Sequence, residues 1–325
     1  MTTVADGHVL TLMLRAISRE AVDINLYEFV SPDGSHLPPF DAGAHINLRL
    51  GENLTRSYSL ANSPVERHRY VIAVKREQEG RGGSCHVHDE LRVGGEIPVE
   101  YPRHHFPLNE SATHTILIAG GIGITPIISM AARLEQLGRS WELHYTARSP
   151  AHAAFLQELK KYGDRVSLYF FDGSPEPDES QSKLDIASLV TGARPGTHLY
   201  CCGPGGMISE FESLTCDRPP DTIHVERFAA DGEVDMSGTF EVVLARSGER
   251  LRISENETIL DVVLAHGVAV DHSCQEGVCG SCLVRVKEGV PDHHDYVLTS
   301  AERASNDRML ICCSRAKTPV LVLDI

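Results

Sequence analysis

At 325 residues the chain is too long for one comfortable core and implies two or three domains. Its composition, 42% apolar and 23% charged, excludes general disorder, and no apolar run reaches membrane-span length. A formal charge of −15, spread along the chain with no basic patch, argues against nucleic acid and anionic membranes as partners.

The first stretch, MTTVADGHVL, has neither the basic start nor the long apolar run of a secretory leader. A cytoplasmic protein is expected, whose nine cysteines stay reduced unless they hold metal or do redox work. Residues 1–108 read as antiparallel β. Apolar positions alternate in HINLRL (Ile46, Leu48, Leu50) and RYVIAVKRE (Tyr70, Ile72, Val74), with Gly and Pro turns between, which predicts a small barrel. Residues 109–228 alternate apolar strands with helical patterns: TILIAG, PIISMAARLEQLG, WELHYTA, AAFLQELKKYG, RVSLYFF, LDIASLV, HLYCCG, GMISEFESL and TIHVERF. That order predicts a parallel sheet covered on both faces. Residues 229–238, AADGEVDMSG, are small and acidic and read as a linker. Residues 239–325 begin with a hairpin turning at Ser247-Gly248 and a short helix, TILDVVLAHG, and then reach a cysteine loop.

That loop, CQEGVCGSC, places Cys274, Cys279 and Cys282 at C-x4-C-x2-C spacing. Structural zinc takes cysteine pairs on two separate knuckles, whereas three thiols on one loop follow the plant-type [2Fe–2S] run. Gly277, Gly280 and Ser281 keep the loop small enough to wrap a cluster. Two adjacent residues, Cys312 and Cys313, compete to be the fourth ligand. Twenty-nine residues separate Cys282 from Cys312, and the stretch resembles plant-type ferredoxins, which space their third and fourth cysteines in that way. The resemblance selects Cys312. Neighbouring side chains on a strand point to opposite faces, so Cys313 is expected to be a small buried apolar residue. His272, His293 and His294 invite comparison with a Rieske centre. With four cysteines already assigned, they read as surface or supporting histidines.

RSYSLAN, residues 56–62, is by itself a β segment with an aromatic, hydroxyls and one cation, and an ordinary edge strand fits it equally well. GRGGS, residues 80–84, leads into the helical SCHVHDEL. Small residues before a helix N-terminus make an anion site, to which Arg56 and Arg81 would add charge-assisted bonds. AGGIGITP, residues 119–126, follows an apolar strand and opens a helix, the context of a pyrophosphate turn. CCGPGGM, residues 201–207, ends a later strand, where open parallel sheets bind ligands. A plain core thiol remains open for Cys202.

Together, RSYSL, YVIAVKR, GRGGS, AGGIGITP, YCCGP, CGSC and CCSRAK resemble, from end to end, the phthalate dioxygenase reductase family, which includes vanillate O-demethylase reductases. The resemblance implies three modules: an antiparallel β-barrel flavin domain, an α/β parallel-sheet nicotinamide domain and a β-grasp plant-type ferredoxin domain. It implies FMN, NADH and a [2Fe–2S] cluster. The flavin would be held by Arg56, Ser57, Tyr58 and Ser59, by Ala73, Val74 and Lys75, by Arg81, Gly82, Gly83 and Ser84, and by Thr125 and Phe228. Tyr58 would stack on the ring and Ser59 reach its reacting side. Gly120, Gly121, Gly123, Cys202, Gly203 and Pro204 would line the nicotinamide nucleotide, with Ser59, Cys202 and Glu226 in catalytic roles. Arg148 and Ser149 would meet the adenosine ribose or its phosphate; the family leans to NADH. Cys274, Cys279, Cys282 and Cys312 would hold the cluster. The expected function is that of a monomeric reductase passing electrons from NADH to a separate Rieske-type oxygenase acting on an aromatic acid. The alternatives are a stand-alone NADH-oxidising flavoenzyme and a redox-sensing iron–sulfur protein.

Overall fold

The computed structural model describes residues 9–51, 54–171, 184–230 and 235–325. Positions 231–234 of the expected linker and residues 1–8 lie outside them. Two compact units, Met1–Arg227 and Phe228–Ile325, make up the chain.

The first unit begins with six antiparallel strands: β1 (Val9–Ala21), β2 (Ile24–Val30), β3 (His45–Gly51), β4 (Leu54–Ser59), β5 (Tyr70–Lys75) and, after helix α1 (Gly83–Glu90), β6 (Glu96–Glu100). They pair in the order β4-β3-β6-β1-β2-β5, and a bridge between Leu60 and Ile72 joins the two ends into a barrel. Closure removes the sheet edges. Leu12, Leu14, Phe29, Ile46, Leu48 and Ile72 fill the interior, as the alternation predicts. The other face of β3 is not solvent-facing, however: His45 and Asn47 are buried as well.

Five parallel strands follow: β7 (His114–Gly120), β8 (Trp141–Ala147), β9 (Val166–Phe170), β10 (Thr197–Cys202) and β11 (Ile223–Glu226). Their order is β11-β10-β7-β8-β9. Helices α2 (Ile124–Gln136), α3 (Leu156–Leu159), α4 (Ile186–Gly192) and α5 (Gly205–Thr215) connect them. Helix α2 ends where the sequence places it, at Gly138 with φ +63°, whose N–H bonds the Glu135 carbonyl at 3.0 Å. The helix expected over AAFLQELKKYG shrinks to the single turn α3 and a 3₁₀ segment, Lys160–Arg165. Docking on the barrel explains this. The Phe155 N–H bonds Glu20 Oε1 at 2.6 Å and the Val22 N–H bonds the Ala151 carbonyl at 2.8 Å. These bonds accompany a left-handed Phe155 (φ +62°) that a helix cannot accommodate.

The second unit holds β12 (Phe240–Leu244), β13 (Arg250–Ile253), α6 (Ile259–Ala265), β14 (Leu283–Glu288), β15 (Pro291–Asp292), α7 (Ser300–Ser305), β16 (Arg308–Leu310), β17 (Arg315–Ala316) and β18 (Val320–Leu323). The hairpin turns through Gly248 at φ +75°. Strand β18 runs parallel to β12 inside the sheet β13-β12-β18-β14-β16, and α6 packs its Ile259, Leu260 and Val263 into the same core, a β-grasp arrangement. Arg315 is buried over the Phe240 ring at 5.1 Å and donates to the Glu257 and Gly238 carbonyls at 3.0 and 2.7 Å. These bonds tie down the start of the unit.

Candidate active site and cluster loop

The strand order of the parallel sheet reverses between β7 and β10, and open parallel sheets take ligands at the carboxyl ends of the strands at such a point. The register sets Cys202 beside Ala119 on one side and Glu226 on the other. Both glycine turns begin there and lie against each other. A Cβ on Gly123 would sit 2.2 Å from the Cys202 carbonyl oxygen. One on Gly203 would sit 2.3 Å from Met207 Cε and 3.1 Å from the Gly120 Cα. Close backbone approach, rather than turn conformation, demands glycine at these two positions. Gly121, at φ +54°, faces open space, and Pro204 begins the turn into α5. Thr125 is buried in the first turn of α2 and donates to the Ile122 carbonyl at 3.0 Å.

Ser59, at the end of β4, meets these strand ends from the barrel. Its Oγ donates to Glu226 Oε2 at 3.4 Å, a long bond. Burial pushes the Glu226 carboxyl up to about 8, against the lowering effect of Ser59. Burial, and then the neighbouring Glu226 and Cys201, push the fully buried Cys202 thiol far up. A thiol so placed is held in its neutral form. Three residues far apart in sequence, Ser59, Cys202 and Glu226, are brought together at one place.

The second feature of the barrel is an anion cradle. Gly82 (φ +76°) precedes α1, and no side chain caps the first-turn N–H groups. Arg56 crosses the helix start and donates to the Arg81 carbonyl at 2.8 Å. A Cβ on Gly83 would sit 2.5 Å from Arg56 Cγ. Ser84 Oγ accepts from the Glu77 N–H at 3.0 Å. Free helix N–H groups flanked by two guanidinium residues suit a phosphate dianion, so the FMN phosphate fits. Burial raises the Tyr58 phenol, which stays protonated. Ala73 and Val74 are buried, leaving their backbone to offer, while Lys75 is ion-paired with Glu77. Ser57 Oγ donates to Asn47 Oδ1 at 2.7 Å. Phe228 opens the second unit and is exposed.

Sequence reading missed the polar network on the outer face of β3. Asn47 donates to Glu100 at 2.9 Å, and Arg49 and Arg103 reach the same carboxylate at 3.0 and 2.9 Å. Burial opposes ionisation of Glu100, but Asn47 and the two arginines outweigh it and lower its pKa. Alternation marks these residues as polar and outward but carries no sign that they are covered.

In the second unit, Cys274, Cys279, Cys282 and Cys312 are all buried. The Glu276 N–H points to Cys274 Sγ and the Cys274 N–H to Cys279 Sγ, at 3.3 Å each. Left-handed Gln275, Gly277 and Gly280 curl the loop around its thiols. Cys279 and Cys312 both act on the Cys274 thiol, so the thiols from the two ends of the unit are neighbours. Amide donors aimed at sulfur, three neighbouring thiols and a fourth, Cys282, whose carbonyl accepts from the Ile311 N–H beside Cys312, fit a [2Fe–2S] cluster. Among the described residues no group of three or more His, Cys, Asp or Glu is arranged for a single metal ion; a two-iron cluster needs a wider cage. One expectation requires correction. Cys312 and Cys313 lie in a turn after β16, closed by the Ser314 N–H on the Leu310 carbonyl at 3.1 Å, so strand alternation does not separate them. Both side chains point inward. Cys313 is set apart by packing instead: its Sγ would lie 2.5 Å from a Cβ on Gly277. His272 bonds the Val270 carbonyl and His294 bonds Asp292, at 2.9 and 3.1 Å, while half-buried His293 lies 3.7 Å from Asp295.

Residues 242–317 match the 2Fe-2S iron-sulfur cluster binding domain family and residues 117–213 the oxidoreductase NAD-binding domain family. The chain is 50% identical, over its full length and that of the relative, to phenoxybenzoate dioxygenase subunit beta of Ectopseudomonas oleovorans. It is 44% identical to tetrachlorobenzoquinone reductase of Sphingobium chlorophenolicum, over 95% of this chain and 96% of the relative. Among solved structures it matches phthalate dioxygenase reductase, described as a modular structure for electron transfer from pyridine nucleotides to [2Fe-2S]. That match covers 98% of both chains at 39% identity, with a TM-score of 0.74.

Proposed function

The chain belongs to the phthalate dioxygenase reductase family, and on that premise we propose that it carries electrons from NADH through FMN and a [2Fe–2S] cluster to a separate oxygenase. The observation that supports this reading best is the meeting of Ser59, Cys202 and Glu226 in a unit that also has an uncapped helix start, on a chain that further carries the three-thiol loop and a buried Cys312. Bound FMN supplies a two-electron acceptor able to release electrons singly, and a plant-type cluster takes one at a time.

The protein's own residues bind and orient. Arg56, Arg81 and the amides of Gly82, Gly83 and Ser84 hold the phosphate. Ser57, Tyr58, Ser59, Ala73, Val74, Lys75 and Thr125 complete the flavin site. Gly120, Gly121, Gly123, Gly203 and Pro204 leave room for the nicotinamide nucleotide, and buried Cys202 supplies the dry surface behind its ring. Glu226 holds its proton at neutral pH and presents no charge there. Cys274, Cys279, Cys282 and Cys312 ligate the cluster. We divide the chain at residues 1–108, 109–228 and 239–325, with 229–238 as the linker. No described helix is long and apolar enough to cross a membrane; we place the protein in the cytoplasm, as a monomer. Its oxygenase is of the Rieske type and hydroxylates or O-demethylates an aromatic acid.

Anaerobic NADH should bleach flavin and cluster together, heat should release FMN, and substrate turnover should require the added oxygenase. FAD in the released fraction would overturn the flavin assignment. The relative named as a benzoquinone reductase favours a second reading, a small quinone as acceptor. Rapid NADH oxidation with a benzoquinone, and none with the oxygenase, would select it.

A further inference from the structure

A buried carboxylate lies against the cluster loop. Asp295, between β15 and α7, is 2% exposed. Its Oδ1 accepts from the Val297 and Leu298 N–H groups at 2.9 and 2.7 Å and lies 3.8 Å from the Arg303 guanidinium. Arg303, in α7, also donates to the Asp295 backbone carbonyl. The other carboxyl oxygen has no hydrogen-bond partner among the described residues, and His293 Nδ1 lies 3.7 Å from it. Burial holds His293 below its ordinary pKa, so at pH 8 its ring is neutral. Asp295 packs against Gly277, which stands between Cys274 and Cys279. A Cβ on Gly277 would lie 3.1 Å from Asp295 Cα and 3.4 Å from its Cβ, and the Tyr296 N–H bonds the Gly277 carbonyl at 2.9 Å. The field of Asp295 also reaches the residue beside Cys312: Cys312 itself, burial and then Asp295 push up the Cys313 thiol. Asp271 and Glu276, the acids on either side of Cys274, are not buried.

We propose that the Asp295–Arg303 pair sets the reduction potential at the cysteine loop, the carboxylate opposing the arrival of an electron and the guanidinium offsetting it. Each electron received from NADH by way of the flavin adds one negative charge among the thiols, and no proton moves and no bond of the pair breaks. A fixed negative charge behind the loop makes that addition less favourable, and a positive one makes it more so. Net charge is among the levers that set such potentials. Position decides how much each charge counts. Water screens Asp271 and Glu276, whereas Asp295 has no water around it and acts at close to full strength. Arg303 is partly exposed, so its effect is the smaller of the two. The pair thus keeps the loop a ready donor to the acceptor, and Arg303 keeps it within reach of the flavin.

This inference rests on the cluster sitting in the four-cysteine site, as proposed above, and the test separates the two. Full-length protein carrying FMN and cluster is titrated anaerobically at pH 8 with dithionite and redox mediators, and the cluster potential is read from its electron paramagnetic resonance signal. In Asp295→Asn the amide oxygen can still accept from Val297 and Leu298, so the turn keeps its shape while the charge goes. Its reduction equilibrium should move about tenfold or more towards the reduced form, a rise of about 59 mV for a one-electron couple. Arg303→Gln should move the potential down, Arg303→Lys should hold it, and the double variant Asp295→Asn/Arg303→Gln should return close to the wild type. A merely structural role would not give shifts of opposite sign. An unmoved or lowered potential in Asp295→Asn overturns the proposal, as does a shift of equal size in the exposed Asp271→Asn. If Asp295→Asn fails to fold or to hold its cluster, Arg303→Gln decides, and a potential that does not fall is again fatal. If the wild type shows no [2Fe–2S] signal on reduction, the cluster reading has failed, and this inference fails with it.

Discussion

Glu226 shows how much a single residue owes to its surroundings. A carboxyl raised to about 8 in the folded protein binds a proton that the unfolded chain, near 4.5, gives up. Its contribution to stability is full below about pH 4.5 and is lost as pH rises towards 8. Glu226→Gln should therefore gain on the wild type in urea unfolding at pH 8.5 but not at pH 4; an equal difference at both pH values would refute the raised pKa. The two adjacent cysteines divide just as sharply. Cys312→Ser should lose or severely weaken the cluster, because a thiolate bond to iron goes. Cys313→Ser should keep it at a packing cost of about 1 kcal/mol. Visible absorbance per iron distinguishes them, and the reverse pattern would move the ligand by one residue.

At the scale of elements, the cluster loop is fitted to its neighbours through one glycine. Gly277 has φ +75°, and a Cβ there would meet Cys313 Sγ at 2.5 Å and Asp295 Cα at 3.1 Å. Gly277→Ala should destabilise the second unit by about 2–3 kcal/mol, from left-handed strain together with overpacking. Adding Cys313→Ala should recover part of the loss, since only the overpacking is relieved. A strictly additive double-mutant cycle in thermal unfolding would show that Cys313 does not pack there. The same close fitting explains the shortened α3. Its apolar spacing was legible and its helical reading was reasonable, but bonds from Glu20 and Val22 on the barrel hold the segment in another shape.

For the whole molecule, each unit has its own buried cores, so damage to one should leave the other working. Cys312→Ser should still pass electrons from NADH to ferricyanide at close to the wild-type rate and should fail with cytochrome c, which draws on the cluster. Loss of both activities would mean that the first unit depends on the second. The sequence by itself determined the order of modules, the glycine turns and the cysteine spacing of the iron–sulfur domain. These are local patterns: a spacing of cysteines, a glycine after a strand, a change of hydrophobic period from two to nearly four. Tertiary structure alone decided that Glu226 is buried with Ser59 Oγ on its carboxyl and Cys202 in register beside it, and that His45 is buried opposite Ser59 rather than solvated. It also decided that Cys313 packs on Gly277 from a turn and not from a strand. Alternation tells which side of a strand a residue takes, but what covers that side comes from chain tens to hundreds of residues away, and burial by that chain sets the charge state of Glu226 and His45.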